Sequence, residues 1–208
     1  MTAADPAEIT SAAELEALLG QPGPAAVNKG RTALHAIDVE WIAHSPMLLI
    51  ATSAADGTCD VSPKGDPAGF VRVLDAHTLA VPERPGNKRA DGFHNVLSNP
   101  HVGLIFLVPG RTDTFRVNGR ARLVRDAPYF DALAVQGRRP VLAMEVAVEE
   151  IFYHCAKAFL RSKLWEHETW EPRALPSRAQ IVHALERHDE PLEAIERHYG
   201  PDYANTLY

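Results

Sequence analysis

The sequence predicts an α+β protein, mainly β, in which short antiparallel strands build a small barrel with helices added at both ends. Three features lead there. Between residues 47 and 152 the chain consists of short β-rich runs separated by turn residues. A single stretch of helical period, 86–100, interrupts them, and helix-capping patterns stand outside them on either side.

In chain order, Ser11-Ala-Ala-Glu14 has capping-box spacing, with Leu15, Leu18 and Leu19 at helical intervals and a stop at Gly20. Gln21-Pro-Gly-Pro24 breaks the chain, and Asp38 is placed to cap a second short helix carrying Val39, Trp41 and Ile42. Met47 to Thr52 and Thr58 to Ser62 flank Ala55-Asp56-Gly57, where Asp-Gly marks a hairpin. Phe70 to Leu74 and Thr78 to Val81 make a second hairpin around Asp75-Ala-His77. His101 to Val108 and Thr112 to Val124 make a third around Pro109-Gly110, and Val141 to Phe152 adds a last extended segment, for six or seven strands. Phe93, Val96 and Leu97 mark the interrupting helix, which Asn99-Pro100 ends. After Phe152 the chain reads helical: His154 to Trp165, then a capping box at Ser177-Arg-Ala-Gln180 before Ile181, Val182 and Leu185, then Leu192, Ile195 and Tyr199. The expected organisation is an N-terminal helical extension over 1–44, a barrel domain over 45–152 and a C-terminal helical appendage over 153–208.

Composition narrows the function classes. The 208 residues are 46% hydrophobic and 23% charged, ordinary values for a globular domain. Lys and Arg number 21 against 27 Asp and Glu, a net charge of −6, so a generally basic nucleic-acid binder is excluded and any anion site is local. The longest strongly apolar run, Val102 to Pro109, is far short of the roughly 20 residues that span a bilayer, and no membrane partner is expected. Met1-Thr-Ala-Ala-Asp-Pro lacks a secretory pattern, which makes the cytoplasm the expected location. Cys59 and Cys155, far apart and outside any CxxC, read as reduced thiols. No metal site is expected, and GxSxG, GxxxxGK[ST], HExxH and a strand-linked GxGxxG are all absent.

Four local patterns are candidates for chemistry. In 113–124, Thr114, Arg116, Asn118, Arg120 and Arg122 share one parity and Phe115, Val117, Ala121 and Leu123 the other. A half-buried strand with a solvated Arg face accounts for this, as does an Arg116 that faces an anionic ligand or a partner subunit. Pro82-Glu-Arg-Pro-Gly-Asn-Lys-Arg89 is a turn-rich entry to a helix, where open N–H groups beside Lys88 and Arg89 suit a phosphate. In Ser62-Pro-Lys-Gly65, at a strand end, Lys64 is placed to join the same pocket and Gly65 permits close approach of a ring. Lys157, Arg161 and Trp165, four apart, would share one helix face that closes over an anion or ring; a solvated face with a packed Trp fits equally.

Taken as a series, Asp60-Val-Ser-Pro-Lys-Gly, Gly69-Phe-Val-Arg-Val-Leu-Asp, Pro85-Gly-Asn-Lys-Arg, Asn99-Pro-His-Val-Gly-Leu-Ile-Phe and Thr114-Phe-Arg-Val-Asn-Gly-Arg-Ala resemble the pyridoxamine 5′-phosphate oxidase-like FMN-binding split-barrel superfamily. The resemblance covers about residues 45 to 150, and Phe152 to Trp165 is similar to the tail of a bacterial branch of FMN-dependent enzymes of unassigned substrate.

The resemblance implies a six-stranded antiparallel split barrel that forms a homodimer, with one FMN in each of two clefts between subunits. It implies cofactor contacts from Ser62, Lys64 and Gly65 along the flavin ring, from the backbone at Val81 and Pro82, and from Asn87, Lys88 and Arg89 in place of a Ser-Arg-Lys phosphate turn. Thr114 stands where the family has a Gln, and Arg116 matches a family Arg. Pyridoxamine phosphate oxidases proper hold the substrate phosphate with a terminal Arg-x-Pro-x-x-x-Glu-Phe-Trp segment, which this chain lacks, so a vitamin B6 substrate is not expected. Lys157 and Arg161 are read instead as reaching the cofactor or a partner's cleft. The implied activity is an FMN-dependent oxidoreductase acting on a small molecule, with Lys64 as the cation near the ring's N1–C2 edge. The alternatives on the same barrel are a non-catalytic flavin or haem carrier or sensor, and a deazaflavin-dependent reductase.

Overall fold

A computed structural model describes residues 7–208 and divides the chain into two compact units, one through Gly30 and one from Arg31 to Tyr208. In the first, α1 (Ala12–Leu19) starts where Ser11 Oγ accepts the Glu14 N–H at 3.2 Å and stops at Gly20, whose φ of 77° suits only glycine readily. Pro24 opens the short α2 (Pro24–Val27).

The second unit is α+β, built on one antiparallel sheet of seven strands: β1 (Met47–Ser53), β2 (Cys59–Gly65), β3 (Arg72–Asp75), β4 (Thr78–Pro82), β5 (His101–Leu107), β6 (Thr114–Val124) and β7 (Ala143–His154). Their order is β2-β1-β5-β6-β7-β4-β3. Seven strands replace the expected six because the four-residue β3 pairs only with β4 and extends that edge, and hydrogen bonds do not close the sheet, which ends at β2 and β3.

Alternation sorts the residues into rows across the strands. On the inner face Ser62, Ile50, Leu104, Val117 and Ile151 form one row, and Lys64, Leu48, Phe106, Phe115 and Tyr153 the next. Leu48, Leu104, Phe106, Phe115, Val117 and Ile151 are completely buried, so β1, β5, β6 and β7, joined by Leu79 and Val81 of β4, carry the core while β2 carries the inner face beyond it. A bulge between Asn118 and Gly119 bends the β6–β7 pair. A Cβ on Gly119 would sit 2.1 Å from the Ala147 carbonyl oxygen, so no other residue fits there without moving backbone.

The helix α3 (Ala36–Ala43) belongs to this unit and buries Ile42 in the sheet's core. Its cap is His35, whose side chain accepts the Ile37 N–H, and not Asp38 as expected. Asp38 sits at the third helical position, fully buried, where it accepts the His35 N–H at 2.8 Å and both terminal nitrogens of Arg31 at 2.6 and 2.9 Å. Burial pushes its carboxyl up, but the bonds from Arg31, the His35 backbone and Tyr153 outweigh that and leave it below the usual carboxylate range.

Between β4 and β5 lies α4 (Asp91–Ser98). The expected helix from His154 to Trp165 is shorter than its pattern: His154 ends β7, α5 spans Lys157–Ser162, and Lys163 at φ 53° stops it. Trp165 is therefore outside the helix, stacked on Phe159 at 6.0 Å and donating from Nε1 to the Arg111 carbonyl at 2.7 Å. In α6 (Arg178–Leu185) the Ser177 and Gln180 capping box forms, and Ala179 and Val182 bury against Ile195 of α7 (Leu192–His198). No helix among the described residues is long and apolar enough to cross a membrane.

Candidate functional site

Where the inner face leaves the core at β2, the sheet curls so that β2 comes opposite the end of β4 without bonding to it. The gap is a cleft of about 660 Å³, within the range of small-molecule sites. Asp60, Ser62 and Lys64 enter from β2, two residues apart and hence on one side of the strand. Pro82, Glu83 and Arg84 enter from the end of β4, and Asp91, Gly92 and Phe93 from the start of α4. Ile50, Phe70 and Met144 form an apolar floor.

The cleft's polar groups are organised in pairs. Lys64 Nζ forms an ion pair with Glu83 across the gap and lies 4.8 Å from the centre of the Phe93 ring. Arg84 Nε holds Asp66 Oδ2 at 2.5 Å and its NH2 the Leu133 carbonyl at 2.7 Å; the Tyr208 hydroxyl donates to the other Asp66 oxygen. Ser62 donates to Asp60 at 2.7 Å, and Asn95 to Thr52 at 3.0 Å, which ties α4 to β1. A Cβ on Gly92 would be 3.5 Å from both Asp60 Oδ2 and Thr52 Oγ1, so the first turn of α4 lies directly on this wall.

The rim is the turn before α4. Lys88 and Ala90 both take left-handed backbone, at φ 61° and 58°, and Asn87 Oδ1 accepts the Arg89 N–H at 3.0 Å. The first intrahelical donors are Phe93 and His94, both to the Ala90 carbonyl, so the N–H groups of Asp91 and Gly92 precede the ladder and remain open to an anion. Arg89 pairs with Asp91 at 2.5 Å on the surface, its side chain 77% exposed. Two open N–H groups, an amide and an exposed guanidinium at the rim suit a phosphate. The apolar floor with a cation at one edge suits a flat ring with an electron-rich side.

Of the residues singled out in the sequence, Ser62, Lys64, Gly65, Pro82, Asn87 and Arg89 line this cleft. Val81 is buried beside it in the core, and Lys88, in its left-handed turn, is not part of the lining. Thr114 and Arg116 lie on the opposite face of the sheet from Phe115 and Val117 by the two-residue parity of β6, Thr114 buried there and Arg116 half-buried. There Arg116 stands 5.0 Å over the Phe152 ring, with its Nε buried and without a hydrogen-bond partner among the described residues. The rest of that cationic parity is paired: Arg122 with Glu145 at 2.6 Å, Asn118 with Glu150 at 2.8 Å and Arg120 with His101 at 3.1 Å. Lys157 and Arg161 are exposed on α5 and do not line the cleft either.

Asp60, Glu83 and Arg84, quoted within motifs but given no role, and Thr52 and Asp91 are further site residues that pattern reading did not assign. Asp60 was accessible to it, being two residues before Ser62 on the same strand face. Glu83 carries no local signal, since only the curl of the sheet brings it to Lys64.

The sequence model for pyridoxamine 5′-phosphate oxidase matches residues 36–155. This chain belongs to the pyridoxamine 5′-phosphate oxidase family. The matched span takes in α3, all seven strands and every residue of the cleft, and stops before α5. Among solved structures, the HupZ protein of Group A Streptococcus is 24% identical, covering 58% of this chain and 93% of that one with a TM-score of 0.46. An FMN-binding protein from Syntrophomonas wolfei is 11% identical, covering 57% and 89% with a TM-score of 0.42. A Clostridium acetobutylicum protein related to general stress protein 26 is 14% identical, covering 57% and 85% with a TM-score of 0.40. No curated protein matches this chain.

Proposed function

We propose that the cleft binds FMN and that the protein is a homodimeric FMN-dependent oxidoreductase acting on a small molecule. The observation that carries this reading is the pairing, in one cleft, of a phosphate-suited rim at Asn87, Arg89 and the start of α4 with a cation, Lys64, above an apolar floor. Family membership supports it. In the bound state the flavin ring would supply the transfer of hydride or electrons. Arg89, Asn87 and the open N–H groups would hold its phosphate, Ile50, Phe70 and Met144 would exclude water from the ring, and Lys64 would favour negative charge at its edge. The lining carries three cations, Lys64, Arg84 and Arg89, against the carboxylates of Asp60, Glu83 and Asp91. That balance favours a compact monophosphate over a deazaflavin with a polyanionic tail, which calls for a basic groove.

The homodimer rests on the outer face of the sheet. There Pro63, Leu49, Ile105, Arg116 and Phe152 form a row across five strands, with Val61, 61% exposed, beside it. A second copy covering this apolar row would give the unpartnered Arg116 Nε an acceptor, and Thr114, Arg116, Lys157 and Arg161 would then serve the partner's cleft.

The test is titration of the purified, flavin-stripped protein with FMN, riboflavin, a deazaflavin and haemin, together with sedimentation equilibrium. Preferred binding of FMN to a dimer is expected, and reduction of the bound flavin by a reduced pyridine nucleotide would separate an enzyme from a carrier. A protein that ignores FMN, or that prefers haemin or the deazaflavin, overturns the reading.

A further inference from the structure

Lys64 is the one lining cation that projects from β2, yet the structure holds it against a carboxylate. Its Nζ is gripped from two sides, by the Phe93 ring of α4 and by Glu83 from the opposite wall. Lys64 and Glu83 are about equally shielded, their side chains 21% and 23% exposed, so the pair is neither a solvated surface contact nor sealed in the core. Glu83 is itself fixed by its backbone, whose N–H donates to the Leu142 carbonyl at 2.9 Å. Its neighbour Arg84 is turned away to Asp66 and the Leu133 carbonyl, so it does not compete for the Glu83 carboxylate. Among the described residues the cleft therefore offers Glu83 a single cation within hydrogen-bonding range, and that cation has one anionic partner.

We propose that Glu83 is a positioning residue that holds the Lys64 ammonium across the cleft, and that its negative charge sets how strongly the site favours the reduced over the oxidised ring of a bound flavin. This inference rests on FMN occupying the cleft. An ammonium shared with a carboxylate delivers less positive field to a third group than a free one, because the two fields nearly cancel beyond the pair. Reduction adds negative charge to the ring, so the reduced form is the one that feels the difference. Removing the charge while keeping the shape frees Lys64 to favour it, and the amide of a Gln still accepts from the ammonium.

The experiment compares the parent protein, Glu83→Gln, Glu83→Asp and the double variant Lys64→Met/Glu83→Gln. It measures the FMN dissociation constant by fluorescence quenching and the midpoint potential of bound FMN by dye equilibration with a chemical reductant. Glu83→Gln is expected to raise the preference for reduced over oxidised FMN by about tenfold, which for a two-electron couple is about 30 mV upward. Glu83→Asp, which keeps the charge, is expected to stay near the parent, and the double variant to lose the gain because Lys64 transmits it. An unchanged potential in Glu83→Gln overturns the proposal, as does an equal rise in the double variant. If the parent does not bind FMN, both this inference and the reading it rests on fall; if it binds FMN and the variants match it, only this inference does.

Discussion

Arg89 offers the sharpest test of the phosphate rim, because FMN and riboflavin differ only by the phosphate it would meet. In the structure its guanidinium lies on Asp91 at 2.5 Å and is 77% exposed. A charge-assisted bond contributes about 1.5–3 kcal/mol. Turning to the ligand gives up an exposed ion pair of about 0.2–1 kcal/mol. The difference leaves about 1–2 kcal/mol for Arg89, so Arg89→Ala should weaken FMN about five- to thirtyfold. Riboflavin, with no phosphate, should bind the variant as it binds the parent. Lys88→Ala is the internal control: the adjacent lysine is outside the cleft lining, and its removal should change FMN affinity by less than about twofold. Fluorescence titration of both ligands against the three proteins gives the answer. If Arg89→Ala loses FMN and riboflavin equally, or if Lys88 proves the more costly loss, the assignment of the rim is wrong.

The remaining predictions concern the frame around the cleft. Asp38→Asn leaves Arg31 without its buried carboxylate and should cost about 2–4 kcal/mol, read as a lower melting temperature at neutral pH. Because the folded carboxyl titrates below its unfolded value, the parent's advantage is present above about pH 4 and is lost as pH falls through the folded pKa; equal melting temperatures at pH 7 would refute this. Gly119→Ala drives a Cβ to 2.1 Å from backbone and should lower the melting temperature by several degrees. Gly103→Ala, whose Cβ would meet only the Asn118 side chain at 3.4 Å, should cost clearly less, and the reverse order would contradict the packing described. Val61→Lys places a charge at an exposed position beside the outer row and should convert dimer to monomer in sedimentation equilibrium without changing the circular dichroism spectrum; a dimer that survives it uses another face.

Much of the frame was legible because its determinants are local. The Asp56-Gly57 turn, the Ser177 and Gln180 capping box and the two-residue alternation of β6 each depend on residues a few positions apart, and each is present. Local rules also went astray where two of them competed. The His154 to Trp165 stretch has helical spacing, but pairing of His154 with Thr114 keeps the first part in the sheet, and the left-handed Lys163 cuts the helix before Trp165. Asp38 suits a cap by residue type, yet Arg31 and burial give it a different role one turn inside.

Alternation by itself, read along the sequence, determined which residues share a face: Ser62 with Lys64, Arg116 with Thr114, Phe115 with Val117. Which face meets what was decided only in three dimensions. The curl of seven strands brings Glu83 to Lys64 and the start of α4 to Asp60, while Arg116, on the other parity of β6, stays on the far side of the sheet over Phe152. Side-chain period is a property of the backbone and can be counted along the chain; the closing of a gap between β2 and β4 depends on the accumulated twist of every strand between them, which no short stretch of residues carries.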